Sequence, residues 1–178
     1  RAGNLESLEE QNRVLTDHLA DINILSSKQD AFNLEKEGLL ATSHWAGDLI
    51  YDLILEKYNF IGKSLTGKTP GSYILVTLHH EENLNKETIE GLFSALVKVP
   101  YEVIFVTHPR TKKIVVFLGL DKYKNIKYID SLSYFEMLAA INGCKFIITD
   151  SGALQRESYY LKKRCLILQN NPFWPSLV

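Results

Sequence analysis

The sequence predicts an α/β fold: a parallel sheet with helices on both faces. Three observations carry that prediction. Five apolar runs, YILVTL, EVIFVT, IKYI, KFIIT and RCLIL, follow one another between Tyr73 and Leu168. Helical stretches of about a dozen residues separate them, which implies right-handed crossovers between parallel strands. The runs are almost unbroken by polar residues, as strands covered on both faces must be.

The elements follow in order. From Ser7 to Leu19, the residues Leu8, Val14, Leu15 and Leu19 recur at helical spacing, and Ser7 with Glu10 fits a capping box. DINILSS reads as a short strand, and SKQDAFNLEKEGLL as a helix ending near Gly38. Gly47 to Tyr58 reads as a helix with Ile50, Leu53, Ile54 and Tyr58 on one face. GKSLTGKT, Gly62 to Thr69, matches the phosphate-binding pattern G-x-x-x-x-G-K-[ST]. That pattern needs a strand before it and a helix after it. Here a helical stretch precedes it and Pro70-Gly71 follows, so a flexible basic linker is expected. The later helices should begin near Lys86, Thr111, Ser133 and Gly152.

Bulk properties narrow the function. A chain of 178 residues can bury a core without disulfides or metal. A formal net charge of −1 argues against a nucleic-acid-binding face over the whole chain. Cys144 and Cys165 show no metal spacing and read as reduced thiols of a cytoplasmic protein. No apolar run approaches ~18 residues, so no membrane-spanning helix is expected. The start, RAGNLESLEE, has no signal-peptide core and no Met, and it suggests a fragment of a longer protein.

The strand ends carry the chemistry. They run into His79-His80-Glu81-Glu82-Asn83, His108-Pro109-Arg110, Asp130-Ser131, Asp150-Ser151-Gly152 and Gln169-Asn170-Asn171. In an open parallel sheet these ends lie side by side, and ligands bind in the crevice beside them. TDSGALQRES has two readings. The amides of Gly152, Ala153 and Leu154, at a helix start, could cradle a diphosphate, with Glu157 accepting from a ribose diol. Alternatively, Asp150 and Ser151 form an ordinary strand-to-helix cap. His79 and His80 suit phosphate contact or proton transfer, or else a polar loop with Asn83 or Asn85 capping the next helix. Their adjacency lacks the i, i+4 spacing of a helical zinc pair, so no metal is expected. Glu9 and Arg13 stand i, i+4: a surface ion pair, or a carboxylate brought to a cleft.

Taken together, LEEQNRVLTDHLAD, HWAGDLIYD, TLHHEENL, THPR and FIITDSGALQRESYYLKKRCLIL resemble the non-hydrolysing UDP-N-acetylglucosamine 2-epimerases, in order and over nearly the whole chain. The resemblance implies a Rossmann-like doubly wound parallel sheet, the C-terminal half of a GT-B fold. Residues 43–178 would form this UDP-binding domain, and residues 1–42 a remnant of a second Rossmann-like domain. It implies isomerase activity by loss and re-addition of UDP, no cofactor, a homodimer, and a fragment inactive by itself. Glu9 and His79 would be catalytic. Arg13, His108, Met137, Ser151, Gly152, Ala153 and Glu157 would hold UDP, with the segment from Tyr134 to Met137 against the uracil. The chain departs from the family pattern at His80, Ala153, Arg156, Trp174 and Ser176. A GT-B glycosyltransferase, a hydrolysing epimerase and a non-catalytic nucleotide-sugar module are the alternatives. The apolar tail PFWPSLV is expected to pack on this chain or on a neighbouring copy.

Overall fold

A computed structural model describes residues 8–169 and Trp174. The described chain divides into two compact units, one ending at Glu56 and including Trp174, the other Lys57–Gln169.

The first unit contains helix α1 (Leu8–Leu19), strand β1 (Asn23–Leu25), helix α2 (Lys28–Lys36), strand β2 (Ser43–Trp45) and helix α3 (Leu49–Lys57). Ser27 and Asp30 close a capping box at the start of α2, and Gly38 takes a left-handed turn just past its end. β1 and β2 pair in parallel, Asn23 opposite Ser43. That pairing holds residues 43–45 within the first unit, and the division between the units falls after Glu56. Ser7, the expected cap of α1, lies outside the described residues. Of the tail 172–178 only Trp174 is described, and it is half-buried.

The second unit contains β3 (Tyr73–Leu78), α4 (Lys86–Leu96), β4 (Glu102–Thr107), α5 (Pro109–Phe117), β5 (Ile126–Ile129), α6 (Tyr134–Gly143), β6 (Ile147–Thr149), α7 (Gly152–Tyr160) and β7 (Cys165–Ile167). All five strands are parallel, in the order β5-β4-β3-β6-β7. Every residue of β3, the central strand, is buried. On one face Ile74, Val76 and Leu78 join Val103 and Phe105 against Ile89, Phe93 and Leu96 of α4 and Val115 of α5. Phe93 stacks on Tyr128 within that layer, and Phe105 tilts against both. On the other face the Tyr73 hydroxyl donates to the Ala140 carbonyl of α6 at 2.7 Å. The expected doubly wound α/β sheet is therefore present.

The GKSLTGKT segment is not the expected loose linker. A Cβ added at Gly143 would lie 2.3 Å from the Ser64 hydroxyl, so only glycine permits that approach. The Leu65 amide donates to the Tyr73 hydroxyl at 3.4 Å, and Lys68 pairs with Glu102 at 2.5 Å. The lysine neutralises a carboxylate at the amino end of the sheet, and no helix starts after it.

Candidate functional site

The strand order creates one privileged place on the carboxyl edge. From β3 the chain moves outward through β4 and β5, then returns to the other side of β3 as β6. Helices leaving β3 and β6 diverge to opposite faces, and the crevice between them is the switch point where open α/β sheets bind ligands. The polar residues at these two strand ends, His79–Asn83 and Asp150–Gly152, flank it.

Asp150 organises this crevice. Its carboxylate has no exposed surface. It accepts from the His79 amide at 3.1 and 3.2 Å, the His80 amide at 3.0 Å and the Asn83 side-chain amide at 3.1 Å. His79 Nδ1 lies 3.1 Å from Oδ1 of the same carboxylate. Burial alone would raise this acid, but the hydrogen bonds from His79, His80 and Asn83 win and hold it at about 2. Asn83 also donates to the Leu168 carbonyl at 2.9 Å, tying the loop after β3 to the chain beyond β7. Below, the Thr77 and Thr149 hydroxyls meet at 2.8 Å, and Thr149 Oγ1 accepts the Ser151 amide at 3.0 Å.

Ser151 is the N-cap of α7, its hydroxyl accepting the Leu154 amide at 3.5 Å. The strand-to-helix cap read as one alternative from the sequence is thus present, and it engages the Leu154 amide. Gly152 and Ala153 follow in the first turn, half-buried and exposed respectively. Glu157, one turn further on, is 6% exposed. Burial pushes its carboxyl up to about 7, with the Arg156 charge pulling the other way. Tyr134, at the start of α6, is raised by its own burial and then by the Glu157 charge. Met137 is half-buried one turn along the same helix.

His108 caps α5, its Nδ1 accepting the Arg110 amide at 3.3 Å. Its ring centroid stands 6.3 Å from that of His79. Arg110 pairs with Glu81 at 3.3 Å, so the ends of β3 and β4 are linked across the surface.

Glu9 and Arg13 sit on α1 in the first unit, paired at 2.5 Å. Arg13 also reaches Glu10 at 3.4 Å, and Glu10 is 2% exposed.

The second unit thus carries His79, His108 and Ser151 to Ala153 at the carboxyl ends of β3, β4 and β6, with Met137 one turn into α6 and Glu157 past the first turn of α7. The sequence marks Asp150, Asn83 and Glu10 only as candidates for local caps, and not as the buried carboxylates and bridging amide seen here. Asn83 was one of two candidates for the helix cap, and Asn85 fills that role, accepting the Thr88 amide at 2.9 Å. Among the described residues, His79, His80 and Asp150 are the group able to hold a metal ion.

Comparison with known proteins gives a consistent answer. The family model described as UDP-N-acetylglucosamine 2-epimerase matches residues 1–178. A UDP-N-acetylglucosamine 2-epimerase homolog of Methanococcus maripaludis is 37% identical over 96% of this chain and 51% of its own length. The UDP-2,3-diacetamido-2,3-dideoxy-D-glucuronate 2-epimerase of Pseudomonas aeruginosa is 29% identical over 100% of this chain and 52% of its own. The crystal structure of the Methanocaldococcus jannaschii UDP-GlcNAc 2-epimerase, in complex with UDP-GlcNAc and UDP, superimposes with a TM-score of 0.88. It is 32% identical, covering 99% of this chain and 53% of that one. The chain spans about half the length of the curated relatives it matches.

Proposed function

The chain belongs to the UDP-N-acetylglucosamine 2-epimerase family, and from that membership we propose that the full-length protein interconverts UDP-N-acetylglucosamine and UDP-N-acetylmannosamine. A base takes the C2 proton of the sugar, its electron pair forms the C1–C2 double bond, and the C1–oxygen bond breaks toward UDP. UDP then returns to C1 as a proton reaches the opposite face of C2. The reaction needs a proton-transferring carboxylate and a cradle for the leaving diphosphate.

The observation that carries this reading is the β3–β6 crevice, walled by the His79 loop and the α7 N-terminus. The same fold holds UDP-GlcNAc and UDP in the M. jannaschii protein. Ser151, Gly152 and Ala153 are proposed to meet the diphosphate, where the helix start favours negative charge. Glu157 takes the ribose hydroxyls, Met137 the uracil, and His108 borders the nucleotide. His79, oriented by Asp150, faces the diphosphate and the reacting sugar. Glu9 is the proposed acid/base carboxylate and Arg13 its partner. Assembly as a homodimer and a cytoplasmic location belong to the same proposal; the two free cysteines agree with the location. Among the described residues no helix is long and apolar enough to cross a membrane.

The P. aeruginosa relative favours a second substrate, a diacetamido uronate on the same nucleotide. The test is product analysis by NMR on the full-length protein with either UDP-sugar, together with UDP calorimetry on wild type and Glu157→Ala. Inversion at C2 and at least ten-fold weaker UDP binding by the variant are expected. Release of free sugar without inversion would reject the epimerase reading, and equal UDP affinity would reject the ribose role of Glu157.

A further inference from the structure

We propose that His79, His80 and Asp150 form a binding site for a divalent transition-metal ion, zinc being the best match. Consecutive side chains on a strand point to opposite faces. Just past β3 that alternation fails: the rings of His79 and His80 have centroids 4.5 Å apart. One donor atom from each imidazole and one carboxylate oxygen of Asp150 all lie within 4.8 Å of one another.

The carboxylate is held in place for this task. Its Oδ2 takes the amides of His79, His80 and Asn83, while Oδ1 shares the His79 amide at 3.2 Å and faces His79 Nδ1 at 3.1 Å. Donors around a tetrahedral zinc with bonds of about 2.0–2.1 Å stand about 3.3 Å apart. An ion can therefore sit between Nδ1 and Oδ1 with little movement of either atom. His80 supplies the third donor, within 4.8 Å of the other two. The backbone amides of both histidines are already held by the same carboxylate, so the loop is ordered before the ion arrives. Hydrogen bonds to a ligating carboxylate also fix its orientation toward the metal.

Two nitrogens and one oxygen suit zinc, cobalt or nickel, whereas magnesium and calcium favour all-oxygen sites. Helical pair spacing, absent here, is unnecessary because the third donor comes from a neighbouring strand end. Three protein ligands leave a coordination position open, and a diphosphate oxygen is a fitting occupant. That last step rests on the nucleotide reading; the metal site does not.

The experiment is calorimetry of ZnCl₂ into EDTA-stripped full-length protein without nucleotide. Visible absorption with CoCl₂ supplies a second readout and MgCl₂ the control. One equivalent of zinc is expected, with Co²⁺ bands of a low-coordinate site. His80→Ala should bind at least ten-fold more weakly while its circular dichroism is unchanged. Absence of stoichiometric zinc binding overturns the proposal, as does wild-type affinity in both His79→Ala and His80→Ala. UDP titrated into the metal-free protein tests the nucleotide reading separately.

Discussion

The two units handle apolar surface in opposite ways. In the second, both faces of β3 are covered by helices of the same unit, and its side chains have essentially no contact with solvent. In the first, a two-stranded parallel pair is flanked by helices whose large apolar residues stand in the open. Leu8 is 75% and Leu19 85% exposed on α1, and Trp45 of β2 is 58% exposed. A two-stranded pair depends on packing against helices for its stability in water. The second unit has the core of an independent folding unit, whereas the first offers surface for a partner to cover. Stability should respond to substitutions in the second unit, and in the first unit only function should respond.

The largest effect should come from Asp150→Ala. It strips the acceptor from the His79, His80 and Asn83 donors, and losing one side of a buried charged network costs about 3–5 kcal/mol. Urea denaturation of the chain should show the loss, and a change under 1 kcal/mol would mean that the network contributes little to folding.

Glu157→Gln comes next, with the opposite sign. The folded carboxyl titrates at about 7. An unfolded glutamate titrates near 4.3, so the folded state holds the extra proton between those values and stability falls as pH rises through that window. The variant should gain roughly 3 kcal/mol at most at pH 8 and almost nothing at pH 4. Parallel melting curves at the two pH values check this. A stabilised variant that binds UDP poorly would place Glu157 among residues kept for function at a cost in stability.

The smallest stability effect belongs to Arg13→Ala. Its pair with Glu9 is exposed, and such pairs contribute within about 1 kcal/mol. Turnover of the full-length protein should nevertheless fall at least ten-fold. A large drop in melting temperature would instead show that the Glu10 contact anchors α1.

Legibility in the sequence tracks the same divide. β3 and β4 were readable to the residue because strands covered on both faces must be unbroken apolar runs, and the edge strand β5 because β-branched Ile126 and Ile129 bracket Lys127 and Tyr128. β6 and β7 came out shorter than KFIIT and RCLIL, since β6 pairs with β3 only from Leu75 to Thr77. α5 begins at Pro109 rather than Thr111 because His108 caps it and proline suits a first helical turn. β2 escaped notice: three residues beginning Ser-His gain strand geometry only from β1. Tertiary partners explain the other misses. Asp150 lies in the most conspicuous motif, yet its donors are about seventy residues upstream. Ser64 and Lys68 sit in what reads as a linker, and Gly143 and Glu102 pin them from afar. Periodicity reports what a residue's own element buries, and nothing in it announces a contact between distant loops.

The bridge made by Asn83, with one carboxamide grasping both Asp150 and the Leu168 carbonyl, has a kinetic corollary. The mouth of the crevice sets during folding rather than on encounter. A diphosphate, if it binds there as proposed, would meet a finished receptor, so its capture should be paced by diffusion rather than by loop closure.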